Sequence, residues 1–308
     1  MKKVALVIDN SAGMPQEDIN KLNVAKVIPI SFMVNGEEYY ENVNMTYSQF
    51  FEFLQDKNCA VSTSQPSIET VKEGWREVLN NYDELVYLVL SSGLSASCNA
   101  ALLASEEDEF KGRVFVVDNG GVSLLNKVPM FVARYMINQG KSASEIKNYL
   151  ESVKNEADAY IAVDTLKYFK KGGRITPAAA AIGTLLSIKP ILRVAGGGGK
   201  LDAAAKVISF KLAKSKIISL LKKQIEEKYS QEYKNGQVII CVAHTMADLE
   251  SSELKDFISI VKQEFADAPF FSSDPLPLFV TCHTGPGALA AGFVVDRTGA
   301  IAEYLKNN

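Results

Sequence analysis

Three short polar segments combine residue types that can hold an anion: Thr63-Ser64-Gln65-Pro66-Ser67, Ser91-Ser92-Gly93-Leu94-Ser95-Ala96-Ser97 and His283-Thr284-Gly285-Pro286-Gly287. Hydroxyls donate to a carboxylate or phosphate, and the free N–H groups of a helix's first turn add to the same field. Ser95 stands in the N-cap region of the helix that follows it. The functional reading turns Ser95, Ser97 and that first turn toward an anion; the plain reading is an ordinary cap. In the first segment Pro66 stiffens the loop and Ser67 caps the next helix, which by itself is only a structural signal. In the third, two glycines around a proline make a tight turn after an apolar strand. That turn would present His283 as donor, acid or base. His244 also ends a strand, but no glycine turn presents it, so it reads as structural. Phe169-Lys170-Lys171-Gly172-Gly173-Arg174-Ile175 is either a solvated turn or a cationic patch, in which Lys171 and Arg174 meet phosphate or a partner protein.

Other motifs fall away on their context. Gly196-Gly197-Gly198-Gly199 reads as a hairpin turn, because strand follows it where a phosphate loop needs a helix. Gly140-Lys141-Ser142 lacks the earlier glycine of a nucleotide loop, with Tyr135 in its place, and reads as one helix's C-cap followed by the next one's N-cap. No G-x-G-x-x-G follows the first strand. The four cysteines form no C-x-x-C pair, and with only two histidines no metal-ligand spacing appears. Neither a metal nor a cofactor is expected.

The elements that position these segments follow from hydrophobic period. Strands are expected over Val4–Asp9, Lys26–Val34, Leu85–Leu90 and Val114–Asp118, with Glu37–Tyr40 returning on the second across Asn35-Gly36. Helices are expected over Thr46–Gln55, Ser67–Asn80, Ala96–Glu106 and Leu124–Asn138, and Ser142 with Glu145 makes a capping box for the next one. Buried strands alternating with helices predict a parallel, doubly wound sheet, whose ligands sit beyond the carboxyl ends of its strands. Four polar loops lie there: Asp9–Met14, Ser62–Ser67, Ser91–Ser97 and Asp118–Ser123. The second half reads differently. Strands are expected at Ala159–Asp164, Ile188–Ala195, Lys200–Val207, Val238–His244, Leu276–Cys282 and Ala288–Val295, and helices at Ser209–Tyr229, Ala247–Phe265 and Gly299–Lys306. The small-residue helix Ala178–Leu186 is plain core or a lid over an apolar chain. The pattern predicts an α/β chain of two domains, 1–157 and 158–308. The first is three-layer α/β/α around a parallel sheet, and the second a two-layer α/β domain with a mixed sheet.

Composition agrees with that size. At 308 residues the chain exceeds what one core usually supports. Its 47% hydrophobic and 22% charged content is that of a globular protein, and a net charge of −3 without a basic run argues against nucleic-acid binding. The apolar run Val4–Ile8 ends at Asp9, too short for a secretory h-region, so a soluble cytoplasmic protein is expected.

Taken in order, six marks resemble the DegV family of bacterial fatty-acid-binding proteins. They are Asp9 after the first strand, Thr63 to Ser67, Ser91 to Ser95, Lys171-Gly172-Gly173-Arg174-Ile175, Ile188-Lys189-Pro190-Ile191-Leu192 and His283 to Leu289. The resemblance implies a fold related to dihydroxyacetone kinase subunits and one long-chain fatty acid between the domains. It implies that Thr63, Ser95, the Ala96 backbone N–H and His283 hold the carboxylate. It further implies a non-catalytic carrier that presents the acid to a dihydroxyacetone-kinase-like fatty acid kinase subunit for acyl phosphate formation, with Arg174 and Lys171 near the docking surface and transient contact with a membrane. Asn10, Ala96 and Asn119 depart from the family's usual residues. The alternative is a hydrolase or acyltransferase using Ser95 and His283, against which no G-x-S-x-G elbow or triad acid is apparent. Burying about 14 methylenes contributes roughly 11 kcal/mol before binding costs, against roughly 1.5–3 kcal/mol for a charge-assisted hydrogen bond. An apolar tunnel therefore supplies the affinity, and the polar cluster sets orientation.

Overall fold

The computed structural model describes residues 2–56, 58–182 and 188–307. Its strands in chain order are β1 (Val4–Asp9), β2 (Lys26–Ile28), β3 (Phe32–Val34), β4 (Glu37–Tyr39), β5 (Val61–Thr63), β6 (Glu84–Leu88), β7 (Val114–Val117), β8 (Ala157–Ala162), β9 (Lys189–Ala195), β10 (Asp202–Val207), β11 (Val238–His244), β12 (Phe270–Pro275) and β13 (Leu289–Val295). A four-stranded parallel sheet runs β2-β1-β6-β7, a small antiparallel sheet runs β4-β3-β5, and a six-stranded mixed sheet runs β10-β9-β8-β13-β11-β12.

β1 and β6 are buried along their whole length because helices cover both faces of the parallel sheet. One face carries the Ile68–Leu79 and Ser97–Ser105 helices through Val71, Trp75, Cys98 and Ala101. The other carries Leu124–Asn138 and Ala143–Ser152. This is the expected helix–sheet–helix layering. The Leu124–Asn138 helix is apolar nearly all round because its far side meets the six-stranded sheet. A single core joins Leu6 and Val86, the helix residues Val128 and Val132, and Ile161, Ile239 and Ala290. Lys127 is only 2% exposed within this layer, its ammonium held by Asp18 and Asp274 at 2.8 Å each. The six-stranded sheet's other face is closed by the Phe210–Lys228 and Ser252–Glu264 helices.

Local signals were read correctly where the chemistry is short-range. Ser67 Oγ accepts from Thr70 N at 3.0 Å, and Ser142 with Glu145 completes its capping box. β3 and β4 turn at Asn35 and Gly36, both at positive φ, and β9 and β10 pair antiparallel around the glycine run. Two expected strands are not found as such, and one strand was not expected. The Lys26–Val34 strand is two strands in different sheets: beyond Ile28 the chain leaves the parallel sheet at Pro29, which has no N–H to donate. The apolar run taken as a strand over Leu276–Cys282 is the Leu278–Thr284 helix, because a short apolar run has no period that separates the two states. The edge strand β12 went unread, since Phe-Phe-Ser-Ser-Asp-Pro has no strand-like alternation. The small-residue segment appears as the Pro177–Ile182 helix; the remainder of it, 183–186, lies outside the described residues.

Candidate functional site

Asp9 ends β1 inside the core and accepts from Ser11 N at 2.9 Å and Leu90 N at 2.7 Å, tying the loops after β1 and β6 together. Burial pushes its carboxyl up to about 6. The loop after β6 then runs past Ser92, whose hydroxyl donates to Asp118 at 2.5 Å, and delivers Ser95 to a cavity of about 340 Å³. That volume falls within the range of small-molecule sites.

Thr63, Ser95, Ala96, His283 and Arg174 all line this one cavity, whereas Lys171 is exposed and does not. They come from separate parts of the fold. Thr63 ends β5 in the small antiparallel sheet rather than the parallel sheet to which its loop was assigned. Ser95 and Ala96 precede the Ser97–Ser105 helix; Ala96 is its N-cap residue, and Ser95 Oγ accepts from Ser97 N at 3.2 Å while pairing with Ser97 Oγ at 2.9 Å. Among the described residues no protein acceptor binds the Ala96 N–H. His283 lies in the last turn of the Leu278–Thr284 helix, not in a turn after a strand. Glu41 accepts from Leu278 N at 2.9 Å at the start of that helix, and burial pushes its carboxyl up to about 7.

His283 Nε2 lies 3.0 Å from Thr63 Oγ1. Burial first, and the nearby Arg174 cation second, hold the imidazole down at about 4, so it is neutral at physiological pH and donates through one nitrogen only. Arg174 donates to the carbonyls of Leu94, at 3.2 Å, and Gly172, and has no carboxylate partner among the described residues. His283 faces Thr63, and no hydrogen bond joins it to Ser95 among the described residues. A serine nucleophile with its base is therefore not assembled. His244 is 3% exposed and accepts from Met246 N, away from the cavity.

The remainder of the wall is apolar, and sequence reading missed it. Val194 of β9, Ala159 and Ile161 of β8, Ala290 of β13 and Ala243 of β11 step across the six-stranded sheet. Leu201 before β10 and Leu276 after β12 continue the row to either edge. The cavity thus crosses the strands. Its cationic end lies at Arg174, whose carbonyl accepts from Leu201 N at 2.9 Å. Small side chains make this floor: Ala290 pairs with Ile161 on one side and Ala243 on the other. Leu124, Leu125, Phe279 and Val280 roof it. The alanines within the buried strands β8, β11 and β13 were the available signal, but a small residue in a strand does not say which buried face adjoins a cavity.

Among the described residues no cluster of His, Cys, Asp and Glu is arranged to hold a metal, and no helix is long and apolar enough to cross a membrane. The model of the DegV family, described as "Uncharacterised protein, DegV family", matches residues 3–296.

The chain belongs to the DegV family.

A DegV domain-containing protein of Deinococcus radiodurans is 30% identical over 288 residues, covering 93% of this chain and 96% of that one. A DegV family protein from Thermus thermophilus, described for its fatty acid binding, superposes with TM-score 0.82 at 26% identity, covering 95% and 99% of the two chains. DegV from Bacillus subtilis, a fatty acid binding protein, gives TM-score 0.79 at 27% identity over 96% and 100%. The two-domain α/β architecture of this chain is that of these DegV structures.

Proposed function

We propose that this DegV protein binds one long-chain fatty acid in the cavity, with the carboxylate at Thr63, Ser95, the Ala96 N–H and His283. The observation that carries this reading is an apolar cavity floor ending in neutral donors beside one cation. Neutral hydroxyls, an N–H at a helix start and a neutral imidazole solvate a carboxylate without neutralising it. Methylenes over the alanine floor supply most of the affinity. The carboxylate stays anionic, and its oxygens remain nucleophilic toward a phosphoryl donor. The protein is a carrier, and a dihydroxyacetone-kinase-like kinase subunit performs the phosphorylation, docking by Arg174 and Lys171. Two units meet at about residue 157, where β8 begins, and the ligand lies between them.

Native mass spectrometry of the purified protein, followed by organic extraction, tests the ligand. A stoichiometric fatty acid supports the reading, and a protein that is empty and also refuses added fatty acids overturns it. Incubation with the kinase subunit and ATP tests the partner. Acyl phosphate that forms with the wild type and drops with Arg174→Ala supports the docking role; equal yield from both overturns it.

A further inference from the structure

Glu41 follows β4 and is half-buried. Its Oε2 accepts from Leu278 N at 2.9 Å, across 237 positions of chain. Leu278 opens the Leu278–Thr284 helix, and Pro277 before it provides no side-chain cap. Glu41 is therefore the side chain that satisfies this helix start. Phe279, Val280, His283 and Thr284 of the same helix line the cavity. Pro275 and Pro277 precede it, and Gly285 and Gly287, at φ 74° and 77°, follow it. A helix of seven residues between such joints shifts as a unit.

No Lys, Arg or His among the described residues is paired with this carboxylate. The titratable groups that face it are the Tyr47 phenol, on the Tyr47–Gln55 helix, and the Cys282 thiol, on the Leu278–Thr284 helix. Burial pushes both up, so both are neutral around pH 7. A buried carboxylate with one N–H and no cation is poorly solvated as an anion. Burial outweighs the Leu278 bond and lifts Glu41 from its ordinary 4.5 to about 7. Once the helix moves off and water reaches the carboxylate, that burial is relieved. The seated helix therefore holds a proton on Glu41 more tightly than the displaced one, and rising pH favours displacement.

We propose that Glu41 is a positioning residue of the fatty-acid site. Protonated, it lets the Leu278–Thr284 helix sit with His283, Phe279 and Val280 against the ligand; ionised, it drives that helix away and releases the acid. This rests on the fatty-acid reading of the same cavity. The coupling is reciprocal, so a bound fatty acid holds the helix seated and draws a proton onto Glu41.

Two other groups near the cavity titrate in or below this range. Asp9, raised to about 6, acts in the same direction through its bond to Leu90 N in the loop that carries Ser95. His283, held down at about 4, acts in the opposite direction. Both are retained in a Glu41 variant, so comparison with wild type isolates Glu41.

The test is calorimetric titration of the full chain with palmitic acid at pH 6, 7 and 8, in wild type and Glu41→Gln. Comparing the two proteins at each pH cancels the titration of the fatty acid itself. Wild-type affinity relative to Glu41→Gln should fall about tenfold from pH 6 to pH 8, the limit for one proton lost near pH 7. Glu41→Gln should bind more tightly than wild type at pH 8, because its neutral amide replaces the protonated acid and its carbonyl still accepts from Leu278 N. Should the glutamine variant not fold, Glu41→Met also removes the titration and should give the same tenfold change in the ratio. A ratio that stays constant with pH, or tighter binding by wild type than by Glu41→Gln at pH 8, overturns the proposal and leaves Glu41 a plain helix cap. Failure of wild type and variants alike to bind palmitic acid at any pH overturns the fatty-acid reading and this inference with it.

Discussion

The loops of the first half contribute Thr63, Ser95 and Ala96 to the cavity, whereas the six-stranded sheet of the second half contributes Ala159, Ala290 and Ala243. The loop residues are half-buried or exposed, and each serine or threonine side chain makes few bonds: Ser95 to its own neighbour Ser97, Thr63 to His283. The sheet alanines are at most 5% exposed and packed between strands. A rim of this kind can change one hydrogen bond without disturbing the fold. A floor of this kind cannot gain a methylene without moving a neighbour. Orientation and affinity are therefore set by parts of the molecule that differ in how much change they tolerate.

That contrast breaks most visibly at the floor. Ala290→Phe should displace about four methylenes of ligand, weakening fatty-acid binding by about 3 kcal/mol, or roughly a hundredfold. It should also lower the melting temperature through overpacking; titration and thermal unfolding read the two effects separately. Where the halves touch, a Cβ on Gly93 would fall 2.2 Å from Gly199 N, so Gly93→Ala forces the glycine hairpin off the Ser95 loop. A stability loss of roughly 2–3 kcal/mol in urea unfolding is expected. At the rim, Ser95→Ala should weaken fatty-acid binding by about 2 kcal/mol and leave the unfolding midpoint nearly in place. A midpoint that falls as far as that of Ala290→Phe would erase the distinction between rim and floor.

The smallest effect is the pH dependence of the rim histidine. Its folded pKa is depressed from 6.5 to about 4. The neutral form's contribution is therefore complete above pH 6.5. It is lost as pH falls toward 4, because the unfolded chain takes up the proton first. Wild type should lose about 1–2 kcal/mol relative to His283→Gln between pH 7 and 5. The comparison must be made against the variant. Asp9 and Glu41, raised to about 6 and about 7, stabilise the fold as pH falls through the same window. Equal pH profiles for wild type and His283→Gln would mean that the imidazole is not held neutral by its burial.

Much of the architecture was legible from the sequence. The uninterrupted apolar runs of β1 and β6 announced a sheet covered on both faces, and Ser67, Ser142 and Asn35-Gly36 fixed their caps and turn within a few residues of chain. The segments holding Thr63, Ser95, Arg174 and His283 could be nominated because hydroxyls near helix starts, a glycine-broken basic segment and a glycine-flanked histidine are local patterns, whereas the carboxylate roles of Thr63, Ser95, Ala96 and His283 came from the family resemblance. The small antiparallel sheet, β12 and the helical state of Leu278–Thr284 were not legible, since each depends on what packs against a short, ambiguous segment.

The sequence by itself determined the alternation of elements, the layering of the first half and the identity of the polar candidates, because those rest on periodicity and on bonds spanning two to four residues. Only the tertiary structure decided that His283 Nε2 meets Thr63 Oγ1 across 220 positions of chain. It also decided that alanines from three non-consecutive strands line one floor. Contacts between residues this far apart are set by the summed packing of sheets on a shared helix layer, and no local stretch of sequence carries that sum.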